Sequence, residues 1–235
     1  MSPPWAMVQY DDRILDPEIQ IFVDRNKEYC DKHGYTYIFE KKKYDLPPHW
    51  IKVKLVQELL RTNKYKGIIW IDTDAVVHNL DKSLDDLLVD GKSFYHSLEA
   101  DVYGTPFNAG VWMVLNNKMG NEIIDKWMDV YPTSNWSHKN GKWVTGGAWA
   151  GVKYEQGGFV EYVKPLYPEH IHVYDWRVFQ SYDPHETTFT MHFSGPLKPG
   201  VQKYLPHIQK KQGGSHRVAK CLKAKRTRRK TRHTR

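Results

Sequence analysis

Apolar residues along the chain fall into two alternating patterns: short continuous runs, and longer stretches in which apolar positions recur every three or four residues. The runs predict buried β-strands and the periodic stretches predict amphipathic helices. The predicted strands cover residues 5–9, 35–39, 67–71, 93–97, 110–115, 170–173 and 188–193. The predicted helices cover residues 16–34, 50–61, 81–89, 119–130 and 154–164. Strands that alternate with helices indicate an α/β fold with a mainly parallel sheet flanked by helices.

Residues 131–151 show neither pattern. Trp136, Trp143 and Trp149 lie there among Asn, Ser, Gly and Lys residues, which predicts an ordered loop rather than a core element. Long loops in compact domains often carry function. Aromatic side chains fill cores, but they also line sites for sugar-like ligands.

Charge is distributed unevenly along the chain. Its length of 235 residues suits one domain with a sizeable core. Residues 216–235 hold ten Lys or Arg and no acidic residue, which leaves 25 basic against 27 acidic residues, a net charge of −2, in residues 1–215. We therefore predict a single folded domain over residues 1–215 and a disordered basic tail over residues 216–235. The near-neutral domain argues against a specific nucleic-acid partner, whereas the tail could make weak contacts with an anionic surface.

The sequence predicts a cytoplasmic location. It contains no apolar run long enough to cross a membrane, and its N-terminus lacks the basic and apolar regions of a signal peptide. Cys30 and Cys221 form no metal-binding or disulfide pattern. Free thiols in a reducing compartment are therefore the simpler interpretation.

The strand predicted over residues 67–71 ends directly in Asp72-Thr73-Asp74. Buried carboxylates are costly unless a partner balances them, and Mg²⁺ and Mn²⁺ prefer oxygen ligands that they share with substrate phosphates. Ligands of open α/β sheets collect at the carboxyl ends of strands, where this pair lies. The pair therefore indicates a divalent-cation site, although the spacing alone also fits a strand end followed by a solvated turn.

Other segments offer side chains to the same site. Asn108-Ala109-Gly110 precedes an apolar strand, so that a ligand can approach small residues closely and Asn108 can bond a hydroxyl. His192 ends a late strand and could add an imidazole to a metal, and Lys198 offers a cation for a phosphate. Glu155 and Gln156 could orient a polyhydroxylated ligand. Each segment alone also fits a structural role, as a turn, a core histidine or a helix start.

Together, these motifs follow one another in a recognisable order. They are Asn26-Lys27-x-Tyr29-Cys30-x-x-His33-Gly34-Tyr35, Trp50-x-Lys52, Trp70-Ile71-Asp72-Thr73-Asp74-Ala75, Asn108-Ala109-Gly110-Val111, Glu155-Gln156 and His192-Phe193-x-Gly195. Their order over residues 5–200 resembles the galactosyl transferase family, which includes yeast-type α-galactosyl and α-1,6-mannosyltransferases and plant xyloglucan xylosyltransferases. Residues 192–199 also resemble the glycogenin-like family. The resemblance implies a GT-A (Rossmann-like) fold and retaining glycosyl transfer from a nucleotide sugar.

The resemblance also implies roles for individual residues. Asp72, Asp74 and His192 would hold Mn²⁺ (or Mg²⁺) against the diphosphate of a UDP- or GDP-sugar. Lys198 would contact the diphosphate, and Asn108 and Ala109 would line the sugar pocket. Tyr10, Lys52, Thr73 and Gly195 complete the predicted donor site.

Gln156 and Glu155 are the predicted catalytic residues, because Gln156 matches a glutamine near the reacting carbon in that family. Family members commonly have Asp-Asp-Gln where this chain has Tyr154-Glu155-Gln156. Tyr154 thus replaces a carboxylate, and the acceptor contacts of the family do not simply carry over. The familiar members are Golgi proteins with a membrane anchor. Because the sequence shows no anchor segment, we do not expect their location to carry over either.

The sequence therefore predicts a metal-dependent, retaining hexosyl- or pentosyltransferase that acts on a hydroxyl of a glycan or glycoprotein. No carboxylate is clearly placed as a covalent nucleophile, so a same-face substitution fits better than a double displacement. Two alternatives stay open: a metal-dependent phosphohydrolase of nucleotide diphosphates, and a polyanion-binding module driven by the tail. The Trp-rich segment favours an acceptor sugar. The sequence leaves the oligomeric state open.

Overall fold

The computed structural model describes residues 3–100 and 105–208. The basic tail over residues 216–235, with its expected disorder and anionic contacts, lies outside the described residues. No helix in the described ranges is long and apolar enough to span a membrane. The cytoplasmic location stays a prediction.

Strands and helices alternate as predicted up to Ile71, after which three further strands follow without an α-helix between them. These elements are β1 (Trp5–Tyr10), α1 (Pro17–His33), β2 (Thr36–Glu40), α2 (Pro48–Arg61), β3 (Gly67–Ile71), β4 (Ala75–Val77), β5 (Phe94–Ser97) and β6 (Val111–Leu115). The later elements are α3 (Lys118–Asp129), β7 (Trp136–Lys139), β8 (Lys142–Thr145), α4 (Glu155–Gly158), β9 (Ile171–Tyr174), α5 (Trp176–Phe179), β10 (Thr190–His192) and α6 (200–208).

A six-stranded sheet in the order β2-β1-β3-β6-β5-β9 forms the centre of the molecule. Strand β1 pairs in parallel with β2 and β3, and β5 pairs in parallel with β9. Strand β6 is antiparallel to both of its neighbours, β3 and β5. Five of the six strands therefore point the same way, and the carboxyl ends of β1, β3 and β5 meet at one edge of the sheet.

Helices cover both faces of the sheet, and β3 shows why. All five residues of β3 are buried. Ile68 and Trp70 pack in a cluster with residues of α2 and α3, whereas Ile69 and Ile71 pack in a second cluster with Tyr29 of α1. A strand buried on both faces is continuously apolar, and a polar residue cannot occur until the strand ends at Asp72.

The segment predicted as a loop over residues 131–151 contains a β-hairpin. Strands β7 and β8 are antiparallel and are joined by Asn140 and Gly141, whose φ angles are 50° and 72°. Two central residues with positive φ are typical of the hairpin turn for which Asn-Gly is the strongest signal. The sequence thus contained the signal for this hairpin, and the loop prediction was wrong there.

Two predicted helices are shorter than expected. The helix predicted over residues 81–89 is a single 3₁₀ turn, Asp85–Leu87. The helix predicted over residues 154–164 is divided into the short α4, a π-helical turn (Phe159–Val163) and a 3₁₀ turn. A Cβ atom on Gly157 would lie 2.2 Å from the backbone of Gly151, so the start of this segment packs backbone to backbone against the preceding loop.

Strand β4, which the hydrophobic pattern did not predict, pairs with β10 in antiparallel orientation and places Ala75 opposite His192. The buried Asn26 of α1 anchors β4 from the other side. Its Nδ2 donates to the carbonyl of Ala75 at 3.0 Å, and its Oδ1 accepts from the backbone N–H of Val77 at 2.8 Å. This amide thus satisfies two buried backbone groups of β4.

We expect Asn26→Ala to destabilise the protein by about 2–4 kcal/mol, because it leaves a buried donor and a buried acceptor unpaired. Urea unfolding followed by circular dichroism measures the change. The exposed Asn135 serves as a matched control, and Asn135→Ala should change stability by less than about 0.5 kcal/mol. An equally small change for Asn26→Ala would show that Asn26 does not anchor β4.

Candidate functional site

The polar site begins where β3 ends. The backbone N–H of Asp72 donates to the carbonyl of Gly110 at 2.7 Å, which holds the loop before β6 against the end of β3. The carboxylate of Asp72 accepts from Lys52 Nζ at 2.9 and 3.1 Å and from Trp70 Nε1 at 2.7 Å. Because a carboxylate offers about four acceptor positions, Asp72 keeps room for one further partner.

The second carboxylate lies next to an imidazole. Nε2 of His192 is 3.3 Å from Oδ1 of Asp74. Burial would raise the pKa of Asp74, but the hydrogen bond and charge of His192, together with Lys198, hold that pKa below its ordinary value. Burial would lower the pKa of His192, but Asp74 raises it. The two groups therefore stabilise each other's charged forms.

Asp72, Asp74 and His192 each offer a ligand atom, and these atoms all lie within 4.8 Å of one another. Two carboxylates and an imidazole form a set of oxygen and nitrogen ligands that suits Mn²⁺ and is compatible with Mg²⁺. The residues predicted as metal ligands are thus brought together from two separate segments of the chain.

Gln180, which sequence reasoning missed, fixes the orientation of His192. Its Oε1 lies 2.5 Å from Nδ1 of His192. A partner on Nδ1 sets the tautomer of the ring and directs Nε2 towards Asp74. Gly110 is required beside this ring, because a Cβ atom there would lie 2.3 Å from Cε1 of His192.

Lys52, predicted as a donor contact, is almost fully buried and bonded within the protein. Besides Asp72, its ammonium donates to the carbonyl of Ala109 at 3.0 Å and lies 3.6 Å from Oε1 of Glu155. Burial would lower the pKa of Lys52, but Asp72 and Glu155 raise it. In this arrangement Lys52 would not contact a nucleotide-sugar donor directly but would position Asp72.

Two cavities open onto the acidic strand end. The first, of about 670 Å³, is bounded by the end of β1 and the start of α2, and the second, of about 640 Å³, by the loop before β6 and by α4. His49, Lys52, Asp72, Asp74, Trp149 and Lys198 line both cavities. All the predicted site residues line at least one of the two: Tyr10 and Thr73 the first, and Asn108, Ala109, Glu155, Gln156, His192 and Gly195 the second. The structure thus brings these residues together, while their individual roles stay predictions.

The first cavity holds acidic residues that the sequence analysis did not single out. Asp11 accepts from the guanidinium of Arg13 at 2.8 Å and from Oγ1 of Thr73 at 3.3 Å. Burial, followed by the charges of Asp12 and Asp11, raises the pKa of Tyr10 to about 12. The hydroxyl of Tyr10 therefore stays protonated and can donate a hydrogen bond to a ligand.

Glu99 is a buried carboxylate in the second cavity that sequence reasoning also missed. Its Oε2 accepts from Nδ2 of Asn108 at 2.6 Å, and its Oε1 accepts from the backbone N–H of Ala100 at 3.0 Å. Burial raises the pKa of Glu99, and the bond from Asn108 opposes that rise. The signal that was missed is the position of Glu99 just after β5, because the carboxyl ends of β5 and β3 lie at the same edge of the sheet.

The predicted catalytic pair also lines the second cavity. Oε1 of Gln156 accepts from the backbone N–H of Ala109 at 3.1 Å. Glu155 is buried beside Lys52, and its backbone carbonyl accepts from Nε1 of Trp127 at 2.8 Å. Lys198 is exposed at the rim, after a 3₁₀ turn that begins at Gly195.

Sequence comparison connects the chain with known transferases. The sequence model of the galactosyl transferase GMA12/MNN10 family matches residues 8–106. An uncharacterized alpha-1,2-galactosyltransferase of Schizosaccharomyces pombe is 22% identical over 85% of this chain and 63% of its own length. An alpha-1,2-galactosyltransferase of the same yeast is 26% identical over 49% of this chain and 40% of its own length. The chain thus spans less than two thirds of the length of these curated relatives.

Structural comparison finds the same fold in solved glycosyltransferases. A glycosyltransferase involved in the glycosylation of the major capsid of PBCV-1 has 18% identity and a TM-score of 0.65, over 88% of this chain and 100% of that one. The apo form of the glycosyltransferase GlyE of Streptococcus pneumoniae has 13% identity and a TM-score of 0.50, over 87% of this chain and 64% of that one. At such identities the likeness shows the fold.

The chain therefore has the fold of glycosyltransferases and resembles that class in sequence, and the predicted GT-A fold class is confirmed. Within that class, the resemblance to the galactosyl transferase family is confirmed over residues 8–106. The match begins within β1, continues through β5 with the Asp72-Thr73-Asp74 segment, and ends before the loop that carries Asn108.

We expect Gln180→Leu to weaken Mn²⁺ binding by about 10- to 100-fold, because His192 loses the partner that orients its ring. Gln180→Glu keeps an acceptor oxygen and should bind Mn²⁺ nearly as the unchanged protein does. Isothermal titration calorimetry measures both affinities.

Gln57 offers a matched control, because it is also buried but bonds Asp125, remote from the site. Gln57→Leu should leave the Mn²⁺ affinity unchanged. If Gln180→Leu binds Mn²⁺ as tightly as that control, Gln180 does not position the metal ligand.

Proposed function

We propose that this protein is a metal-dependent, retaining glycosyltransferase that moves a sugar from a UDP- or GDP-sugar to a hydroxyl of a glycan or glycoprotein. The observation that carries the proposal is the cluster of Asp72, Asp74 and His192 at the junction of two cavities in a glycosyltransferase fold. A nucleotide sugar has two unlike ends joined by a diphosphate, and this site has two unlike cavities joined by a candidate metal centre.

The walls of the cavities suggest how the donor would lie. The nucleoside would occupy the first cavity, where the Tyr10 hydroxyl and the Asp11 carboxylate provide hydrogen-bonding groups for a base or ribose. The sugar would occupy the second cavity, where Asn108 and Glu99 face it with an amide and a carboxylate. The diphosphate would then lie between them, beside Lys198.

The ligand atoms of Asp72, Asp74 and His192 suit a divalent cation. In this site the cation would neutralise the negative charge that develops on the leaving diphosphate. The protein prepares the ligands for that role. Lys52 and Trp70 hold Asp72, and Gln180 holds the ring of His192. Lys198 adds a second positive charge beside the phosphate, and the fixed groups need little rearrangement when charge develops.

Retention would follow from a same-face substitution. The two buried carboxylates nearest the sugar are both engaged: Glu155 lies beside Lys52, and Glu99 accepts two hydrogen bonds. Engaged carboxylates are poor covalent nucleophiles. The leaving phosphate would instead take the proton of the acceptor hydroxyl on the same face, and Gln156 would orient the reacting groups by hydrogen bonds.

A covalent pathway makes a different prediction for Glu155. During turnover with a slow donor, we expect the mass of the intact protein to stay unchanged. An added mass equal to one sugar residue, located on Glu155 by peptide mapping, would replace the same-face mechanism with a double displacement.

Donor binding is expected to depend on the metal ligands. A panel of UDP- and GDP-sugars should contain one donor that raises the melting temperature only with Mn²⁺, by mass action worth about 2.7 kcal/mol at a hundredfold excess over its dissociation constant. Asp74→Ala should lose that shift and reduce transfer by at least about 100-fold while the circular dichroism spectrum is kept.

Asp129 is exposed on α3 and provides the control, since Asp129→Ala should retain the shift and the activity. Full transfer in the presence of EDTA would refute the metal proposal. Metal-dependent cleavage of the diphosphate, with no sugar reaching any glycan, would favour the phosphohydrolase instead.

A further inference from the structure

Trp149 is unusually exposed for its size and position. Its side chain is 72% exposed, more than any other large aromatic side chain in residues 3–100 and 105–208, and it borders both cavities of the site. Single exposed apolar residues are common on protein surfaces. An exposed indole at the mouth of a polar cavity is less usual, and aromatic residues of this kind are enriched where proteins bind ligands.

Neighbouring rings hold Trp149 in place. The ring of Trp149 lies 4.9 Å from that of His49 at 77° and 5.0 Å from that of Tyr154 at 57°. Tyr154 in turn packs against His49 at 5.1 Å and against Trp136 at 5.2 Å. We call these four residues, His49, Trp136, Trp149 and Tyr154, the aromatic shelf. Because Trp149 is 72% exposed, most of its indole surface is open, while the rings of His49 and Tyr154 support the remainder.

The backbone also presents Trp149 in a defined position. Ala150 has a positive φ of 57°, which is uncommon for a residue with a side chain, and Gly147 has a φ of 105°. The backbone N–H of Gly151 donates to the carbonyl of Ala148 at 3.1 Å, and this turn packs against Gly157 of α4. The loop is therefore fixed to the same helix that carries Glu155 and Gln156.

The shelf is electrically neutral. Burial lowers the pKa of His49, so its imidazole is uncharged near pH 7. Tyr154 occupies the place where the sequence pattern of the family commonly has a carboxylate, and its ring supports Trp149. This part of the site therefore offers aromatic rings where family members commonly have a carboxylate.

A neutral pyranose matches such a surface. One face of the ring carries C–H groups, which bury apolar area against an aromatic face, while the hydroxyls around its edge remain available to polar groups. Ala150, next to Trp149, lines the second cavity together with Gln156. A sugar stacked on the indole would thus hold a hydroxyl beside the predicted catalytic pair.

We propose that the aromatic shelf is the acceptor platform, on which the open face of Trp149 stacks against a neutral pyranose at the accepting end of a glycan. This inference rests on the proposed glycosyltransferase function. Acceptor selection would then depend mainly on stacking. Neutral pyranosides would be accepted, and the negative charge of a uronic acid would not improve binding.

Two measurements test the platform. With the donor and Mn²⁺, kinetics over neutral methyl pyranosides should show that Trp149→Ala raises the acceptor KM about tenfold or more, the loss expected when a stacking ring is removed. The donor KM should change much less, and Trp149→Phe should recover most of the loss. Tyr162→Ala, an exposed ring outside both cavities, serves as the control. An unchanged acceptor KM in Trp149→Ala would overturn the platform, as would equal losses for donor and acceptor.

Saturation-transfer NMR with the same methyl pyranosides, in the presence of UDP or GDP and Mn²⁺, does not require turnover. Wild-type protein should saturate the C–H protons of one pyranoside face, and Trp149→Ala should not. Signals of equal strength in both proteins, or in neither, would refute the platform. Trp149-dependent signals from a protein that transfers no sugar would support the platform and reject the proposed activity.

Discussion

Two carboxylates lie at the end of a strand that is buried on both faces, and burial of a negative charge is costly without a partner. Each carboxylate has its own partner: Lys52 bonds Asp72, and the imidazole of His192 lies 3.3 Å from Asp74. Lys52 comes from α2 and also reaches Glu155 at the start of α4, whereas His192 comes from β10, which pairs with β4. The contacts of these two carboxylates therefore connect the end of β3 with four other elements, α2, α4, β4 and β10.

These contacts also explain why the site is suited to a charged substrate. The ligand atoms of Asp72, Asp74 and His192 are already assembled, and Gln180 and Lys52 hold them from behind. Because these ligand atoms are already held in place, binding of a cation together with a phosphate would require little rearrangement of the protein. The aromatic rings of His49 and Trp149 line the same two cavities beside these charges. The combination of ionic and aromatic walls matches a reaction that joins a charged donor to an uncharged glycan.

The end of β3 was predictable from sequence. A continuous apolar run identifies the buried strand, and Asp72 is the first polar residue after it. Gln180 was not predictable, because its function depends on a contact with His192 that only the folded chain creates. Strand β4 is too short to show a period, and it depends on the amide of Asn26. The hairpin at Asn140 had a clear turn signal, but its strands are polar and lack the alternation by which strands are identified.

The central claim is that the acidic end of β3 binds a divalent cation together with a nucleoside diphosphate. Electron paramagnetic resonance of Mn²⁺, titrated with the wild-type protein in the absence and presence of UDP or GDP, measures this directly. We predict one bound Mn²⁺ per chain and a clear gain in Mn²⁺ affinity when the matching diphosphate is present. An Mn²⁺ signal that remains that of the free ion, or an affinity that neither diphosphate changes, would contradict it.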